Sequence, residues 1–135
     1  MTVRLFLAVC ALAASGALAK AATLVIRAEG VRSADGMVYV GVCATGFDEA
    51  NCPYKDRARA RAGTIEFRIP NVKPGRYAIA IYHDVNGNGR LDRTLFMPDE
   101  PYGFSNNIGR LGSPSFEGAL IGVADPTTTV VVPIR

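Results

Sequence analysis

Residues 73–83, with the sequence KPGRYAIAIYH, decide the fold of this 135-residue chain. Pro74 and Gly75 predict a tight turn, because proline fixes φ at one turn position and glycine tolerates positive φ at another. After the turn, Tyr77, Ile79 and Ile81 alternate with Ala78, Ala80 and Tyr82. This period-two spacing is typical of a β-strand that buries one face, so we predict a strand from Arg76 to His83.

The same alternation recurs in five other short runs that are separated by turn-forming residues. Asp35-Gly36 is a hairpin signal between the first two runs, and Asp125-Pro126 breaks the chain before the last one. No helical pattern longer than about two turns follows the N-terminal segment. The pattern is typical of an antiparallel sandwich or barrel, and we predict an all-β antiparallel β-sandwich of about seven strands. The five runs are Thr23–Glu29, Met37–Cys43, Thr64–Ile69, Ser115–Val123 and Thr127–Ile134.

The N-terminus predicts export. Arg4 precedes an apolar run of about ten residues, the size of a signal-peptide core, and Ala17 and Ala19 suit a cleavage site before Lys20. The alternative is an uncleaved N-terminal helix. With residues 1–19 removed, we expect residues 20–135 to form a single periplasmic or secreted domain without a transmembrane segment. Its 14 Lys and Arg against 12 Asp and Glu are too balanced to indicate nucleic-acid binding.

The cysteine content agrees with an oxidising compartment. Cys10 would leave with the signal peptide, and the two that remain, Cys43 and Cys52, are close in sequence. Such pairs usually form a structural disulfide outside the cytoplasm, although free thiols or other pairing stay possible from sequence alone.

Residues 83–92, HDVNGNGRLD, open like a calcium-binding loop. Asp84, Asn86, Asn88 and Asp92 place oxygen-bearing side chains at alternate or near-alternate positions, and a glycine follows the third. Calcium needs several oxygens from one short segment, and glycine permits the sharp turn. We therefore predict a calcium site with an affinity on the order of 10⁻⁴ to 10⁻³ M, and we consider magnesium less suitable.

The predicted calcium loop is incomplete. Its twelfth position, where a bidentate glutamate is expected, is Leu95. We expect Arg90 to contribute its backbone carbonyl and Glu100 to supply the missing carboxylate, with Asp99 also within reach. The alternative is a metal-free turn, because Asn-Gly pairs favour hairpin turns. A plain turn, however, gives no reason for two mutually repelling carboxylates.

These residues also carry a family resemblance. Residues 83–92, together with 98–107 (PDEPYGFSNN) and the turn 73–78, resemble a bacterial exported family known as domain of unknown function 2141. The resemblance extends from about Thr23 to Ile134. It implies an exported protein with a prealbumin-like sandwich, and it implies no activity, substrate or catalytic residue.

Other segments offer binding surfaces. Tyr102, Phe104, Asn106 and Asn107 could form a ligand-binding lip beside the acidic loop, or their aromatic rings could fill a packed surface loop. The alternating cations of residues 55–61 predict a solvated edge strand, and less readily a contact with anionic lipid. His83, the only histidine, is expected to serve strand-end packing rather than catalysis.

The predicted function is a non-catalytic exported module. Its calcium-type loop would order neighbouring loops for contact with an unknown envelope protein or a small ligand. One alternative is a small envelope hydrolase that uses Asp84, Asp92, Asp99 and Glu100 as its carboxylates. Another is a purely structural domain without a metal.

Overall fold

The computed structural model describes residues 16 and 18–135. Nearly all of the predicted signal peptide, residues 1–19, therefore lies outside the described residues. The strands are β1 (Ala22–Val31), β2 (Met37–Cys43), β3 (Tyr54–Arg59), β4 (Gly63–Val72), β5 (Gly75–Asp84), β6 (Arg93–Thr94), β7 (Met97–Pro98), β8 (Tyr102–Phe104), β9 (Leu120–Val123) and β10 (Thr127–Pro133). One helical turn, α1 (Phe116–Ala119), and two 3-10 turns, Glu49–Asn51 and Ser105–Asn107, complete the elements.

The strands form two main sheets that pack face to face. The first sheet has the order β10-β1-β4, and the second has the order β3-β2-β5-β8, with β9 pairing the first half of β5. A separate hairpin consists of β6 and β7. The predicted all-β sandwich is confirmed, and the sheets do not close into a barrel.

The core follows the alternation seen in the sequence. Val38, Val40 and Val42 of β2 are at most 3 % exposed, and Tyr77, Ile79 and Ile81 of β5 are also buried. The opposite sheet contributes residues such as Ile26, Phe67 and Val132 to one continuous apolar cluster. Burial of these apolar side chains is the main force that holds the two sheets together.

The predicted hairpin at Asp35-Gly36 is wrong. β1 belongs to the first sheet and β2 to the second, so this turn carries the chain from one sheet to the other. Gly36 still has the positive φ, +71°, that the turn requires. The pattern of apolar residues reports which face of a strand is buried, but it does not report which strand lies beside it.

Three further differences concern strands. β1 and β10 pair in parallel, although the sequence predicted antiparallel pairing throughout. The segments between the predicted strands, residues 45–62 and 93–114, contain the short strands β3, β6, β7 and β8. The predicted strand Ser115–Val123 begins as a helical turn, in which the Ser115 side chain accepts a hydrogen bond from the Gly118 backbone N–H.

β3 lies at the edge of the second sheet, as the alternating cations of residues 55–61 indicated. Lys55, Arg57 and Arg59 of this strand are exposed. Charged side chains on an edge strand oppose pairing with another chain. None of the helices among residues 16 and 18–135 is long and apolar enough to cross a membrane.

The predicted disulfide between Cys43 and Cys52 is confirmed, with an S–S distance of 2.02 Å. It ties the end of β2 to the 3-10 turn that precedes β3, and both cysteines are buried. Beside the disulfide, Ala44 N–H donates to the Asn51 carbonyl at 2.8 Å. The disulfide therefore closes a loop that hydrogen bonds also hold.

We expect the double variant Cys43→Ser/Cys52→Ser to lose about 2–3 kcal/mol of unfolding free energy, because the unfolded chain regains the entropy of the open loop. Chemical denaturation measures this change. Wild-type protein kept in a thiol reductant is the matched control and should lose a similar amount. Equal stability of oxidised and reduced wild-type protein would contradict the prediction.

Candidate metal centre

The acidic loop begins where β5 ends, at Asp84. This residue is fully buried, and its carboxylate accepts three backbone hydrogen bonds. Asp84 Oδ1 accepts from Gly87 N at 2.9 Å and from Asn88 N at 3.1 Å, while Oδ2 accepts from Gly89 N at 2.7 Å. The loop thus winds around the Asp84 carboxylate. Positive φ at Gly87 and Gly89, +74° and +79°, permits this winding.

The next three predicted ligands converge at the mouth of the loop. Asn86 Nδ2 donates to Asp92 Oδ2 at 2.6 Å, and Asn88 Nδ2 lies 2.8 Å from both oxygens of Asp92. Side chains from loop positions three, five and nine are therefore in mutual contact, with the amide nitrogens of both asparagines directed at the Asp92 carboxylate. Hydrogen bonds from Asn88 and then Asn86, with a smaller contribution from Arg90, lower the pKa of Asp92.

The two asparagine side chains also shape the backbone. Asn86 Oδ1 accepts from Asn88 N, and Asn88 Oδ1 accepts from Arg90 N, both at 3.1 Å. Each asparagine therefore bonds the backbone two residues further on, which is the local turn that this residue type favours. These bonds hold the side chains on the inner side of the loop.

Glu100 lies against both ends of the loop, although it is eight residues beyond Asp92. Its Oε1 accepts from Val85 N at 2.9 Å, and its Oε2 accepts from Asp92 N at 3.1 Å. The residue is 8 % exposed. The structure therefore brings the predicted completing carboxylate to the loop, where it accepts backbone N–H groups near the start and at the end of the loop.

The carboxylates keep acceptor capacity for a cation. An ionised carboxylate offers about four lone-pair sites. Asp84 and Asp92 each receive three hydrogen bonds, and Glu100 receives two. Within residues 16 and 18–135, no three His, Cys, Asp or Glu side chains are grouped to hold a metal, so a cation here would depend on the asparagine oxygens, backbone carbonyls or water.

Two predicted participants stand slightly apart from this cluster. The Arg90 side chain is 79 % exposed, and its Nε lies 3.6 Å from Asp92 Oδ1. Asp99 accepts a hydrogen bond from Thr94 Oγ1 at 2.7 Å, and therefore belongs to the β6–β7 hairpin rather than to the loop. The contribution of the Arg90 carbonyl stays a prediction.

A groove of about 520 Å³ lies beside the loop, on the outer face of the second sheet. Gly41 and Ala80 lie in its floor, and Tyr39 and Tyr82 stack at 5.0 Å with an interplanar angle of 10° along one side. The Tyr82 hydroxyl lies 3.4 Å from the Gly89 carbonyl and so connects this side to the loop. Burial, followed by the influence of Tyr39 and of nearby carboxylates, raises the pKa of Tyr82 to about 12.

The predicted ligand-binding residues separate into two groups. Tyr102 and Phe104 lie on β8 and line the groove. Asn106 instead donates to the carbonyls of Gly118 and Leu120, at 3.0 and 3.1 Å, and Asn107 accepts from Arg135. These two asparagines therefore fasten the loop to its surroundings, and Asn107 also lines a second cavity, of about 480 Å³, together with Tyr102 and Phe104.

Sequence reasoning missed several residues around the groove. The Phe47 ring packs on the rings of Phe104 and Phe116, with centroid distances of 4.7 and 5.3 Å. These three side chains therefore form a small packed aromatic cluster. Ser105 is fully buried, accepts from Ile79 N at 2.9 Å and donates to the Ala119 carbonyl. The alternation around Tyr39 could have indicated the outer face of β2, but nothing in the sequence pattern indicated Ser105.

His83 is packed near the end of β5, as the sequence indicated. It is 1 % exposed, and its Nε2 lies 2.6 Å from the Asp35 carbonyl oxygen. The contact joins the end of β5 to the turn that contains Gly36. His83 therefore helps to fix the start of the acidic loop.

Comparison with known proteins matches the chain to a family model. The model of the DUF2141 family, described as an uncharacterized protein conserved in bacteria, matches residues 26–131. This range includes the acidic loop, the disulfide and the groove. Neither the curated proteins nor the solved structures contain a match to the chain.

Proposed function

The chain belongs to the bacterial family DUF2141. We propose that it is an exported, non-catalytic β-sandwich module in which calcium orders the loops between Asp84 and Asn107 for contact with an envelope partner or small ligand. The observation that supports the proposal best is the contact of Asn86, Asn88 and Asp92 at the mouth of the loop. Calcium favours carboxylate and amide oxygens as ligands and accepts flexible geometry, and these three side chains carry such oxygens within one short segment.

Calcium would add positive charge to a cluster of carboxylates that accept hydrogen bonds from the loop backbone and from two amide groups. Asp84 and Glu100 hold the loop backbone from inside, and Asp92 faces the more exposed side. Amide oxygens of Asn86 and Asn88 could turn toward an ion by rotation about the last side-chain bond. The ion would then link residues that are far apart in the loop and reduce its motion.

Contact with a partner is expected beside the loop. Gly89 and Leu91 lie along the groove, together with Tyr39, Tyr82 and Phe104. Order in the loop therefore affects the shape of one groove wall. A purely structural domain without a metal would also suit an exported protein with a disulfide. It would not explain the oxygen-rich side chains of the loop.

The hydrolase alternative has less support. A carboxylate pair for general acid and base catalysis needs oxygens that can reach a substrate. Asp84 is buried with three N–H donors, and each oxygen of Glu100 accepts a backbone N–H. We therefore propose binding rather than turnover.

The proposal predicts that calcium raises the melting temperature. With calcium about tenfold above a Kd on the order of 10⁻³ M, the stabilisation is about 1.4 kcal/mol. For a domain of this size we expect a shift of about 5 °C relative to protein in chelator. Differential scanning calorimetry with calcium and with EDTA measures it.

Asp92→Asn should remove most of this shift, since it takes away the least buried carboxylate of the cluster. Glu66→Gln is the control, because Glu66 is an exposed acid on β4 of the other sheet. Its response to calcium should match that of the wild type. Equal melting temperatures of wild-type protein in calcium and in EDTA would contradict the proposal.

A further inference from the structure

The β6–β7 hairpin exposes three consecutive apolar side chains. Leu95, Phe96 and Met97 are 87 %, 92 % and 66 % exposed. Single exposed apolar residues are ordinary on protein surfaces, but a continuous apolar tip is typical of a contact site. We call these three residues the apolar tip.

The backbone of the apolar tip is strained. Leu95 and Phe96 form the turn of the hairpin with φ of +49° and +71°. Two-residue hairpin turns of this kind favour Asn-Gly, because side chains with a bulky Cβ resist positive φ. Leucine and phenylalanine therefore reduce stability at both positions. A strained backbone that presents exposed apolar groups points to a role in contact rather than in folding.

The apolar tip is attached directly to the acidic loop. β6 begins at Arg93, the residue after Asp92. Asp99 N donates to the Asp92 carbonyl at 2.8 Å, and Thr94 Oγ1 donates to Asp99 at 2.7 Å. Glu100 then returns to the loop backbone. An ion that orders the loop therefore also fixes the base of the hairpin.

The charge of this region depends on the ion. Residues 84–100 contain four carboxylates, Asp84, Asp92, Asp99 and Glu100, against the two cations Arg90 and Arg93, a net charge of −2. One bound calcium ion would bring the net charge to zero. Without the ion, an anionic surface would repel this region. With the ion bound, the same surface would meet exposed arginines beside a loop of zero net charge.

We propose that the apolar tip docks this protein, in the presence of calcium, on an anionic phospholipid surface. The inference rests on the proposed calcium loop and names the partner that the loop would meet. Leucine, phenylalanine and methionine side chains enter the boundary between headgroups and acyl chains, and Arg90 and Arg93 face the lipid phosphates. The combination of apolar groups with flanking cations favours a lipid surface over an apolar protein surface.

Flotation with vesicles of equimolar phosphatidylglycerol and phosphatidylethanolamine tests this proposal. The purified protein is mixed with vesicles in millimolar calcium or in EDTA, and its vesicle-bound fraction is measured. We expect bound protein in calcium and roughly tenfold weaker partition in EDTA, because the loop region keeps its net negative charge when no ion is bound. Calcium uptake is measured separately, by equilibrium dialysis without vesicles.

The variant Leu95→Asn/Phe96→Gly separates docking from folding. It places the favoured Asn-Gly pair in the turn, so its melting temperature should equal or exceed that of the wild type. Its calcium uptake should be unchanged, while its partition onto vesicles should fall about tenfold or more with the loss of two apolar side chains. Leu111→Asn is the control, since Leu111 is fully exposed outside the hairpin.

Three results would overturn the docking proposal. Wild-type protein that takes up calcium but does not float would overturn it and leave the calcium module intact. Equal flotation of the Leu95→Asn/Phe96→Gly variant and the wild type would exclude the apolar tip. Equal flotation in calcium and EDTA would remove the dependence on the ion. Absence of calcium uptake in dialysis would instead contradict the proposed function itself.

Discussion

Asp84→Ala should lower the free energy of unfolding by about 3 kcal/mol and abolish calcium uptake. The Asp84 carboxylate is fully buried and accepts hydrogen bonds from Gly87, Asn88 and Gly89. Hydrogen bonds to a charged acceptor contribute roughly 1.5–3 kcal/mol each, but these donors lie in an exposed loop where water can replace part of the loss. Urea denaturation measures the stability, and equilibrium dialysis measures the uptake.

Asp56→Ala is the matched control for this variant. Asp56 is exposed on β3, and within residues 16 and 18–135 its carboxylate accepts only the N–H of its neighbour Arg57. Its removal should change stability by no more than about 0.5 kcal/mol. If Asp84→Ala were as stable as Asp56→Ala, the Asp84 carboxylate would not organise the loop.

Gly36→Ala should destabilise the fold by about 3 kcal/mol or more. A Cβ at this position would lie 1.8 Å from the Asp84 carbonyl oxygen and 3.0 Å from that of Val85. Both are backbone atoms at the start of the acidic loop, so neither can move without displacing β5 or the loop. The positive φ of Gly36, +71°, adds a conformational cost for any other residue.

Gly87→Ala separates the steric clash from the backbone cost. Gly87 has a φ of +74°, and a Cβ added there would have no other atom within 4 Å. Alanine at this position should cost only about 1 kcal/mol, from the positive φ alone. Denaturation midpoints of the two variants provide the comparison. Equal losses of unfolding free energy in the two variants would show that the steric clash with Asp84 does not contribute to the effect of Gly36→Ala.

The sequence predicted those parts of the fold that depend on local burial. The bounds of β2, Met37–Cys43, agree with the prediction, and the alternation within β5 indicated its buried face correctly. Pairing was less predictable. The parallel contact of β1 with β10 and the placement of β1 and β2 in different sheets depend on contacts between distant residues. Periodicity within a strand carries no information about its neighbour.

Short elements were missed for a similar reason. β8 has three residues, Tyr102–Phe104, and its Gly103 is so close to Pro133 that an added Cβ would lie 2.0 Å from the carbonyl oxygen. In the sequence, Pro101 and Gly103 indicate a turn. In the structure, position 103 requires glycine because the backbone of β10 approaches it too closely for a side chain. The helical turn α1 is likewise shorter than a helical period can reveal.

The acidic loop was easier to predict than its surroundings. Its predicted ligand residues are close in sequence, and their spacing indicated that the side chains of Asn86, Asn88 and Asp92 would meet. Glu100 was expected because the loop needed another carboxylate, and the structure brings it to Val85 and Asp92. The groove formed by Tyr39, Tyr82 and Phe104 combines three strands, and only the tertiary structure could assemble it.

Equilibrium dialysis of the purified protein against radioactive calcium tests the central claim most directly. The claim predicts saturable uptake of a single ion per chain, with a Kd on the order of 10⁻⁴ to 10⁻³ M. Asp92→Asn should weaken that uptake, and Glu66→Gln should not. Absence of saturable uptake at millimolar calcium, or equal uptake by wild type and Asp92→Asn, would contradict the assignment of the loop as a calcium site.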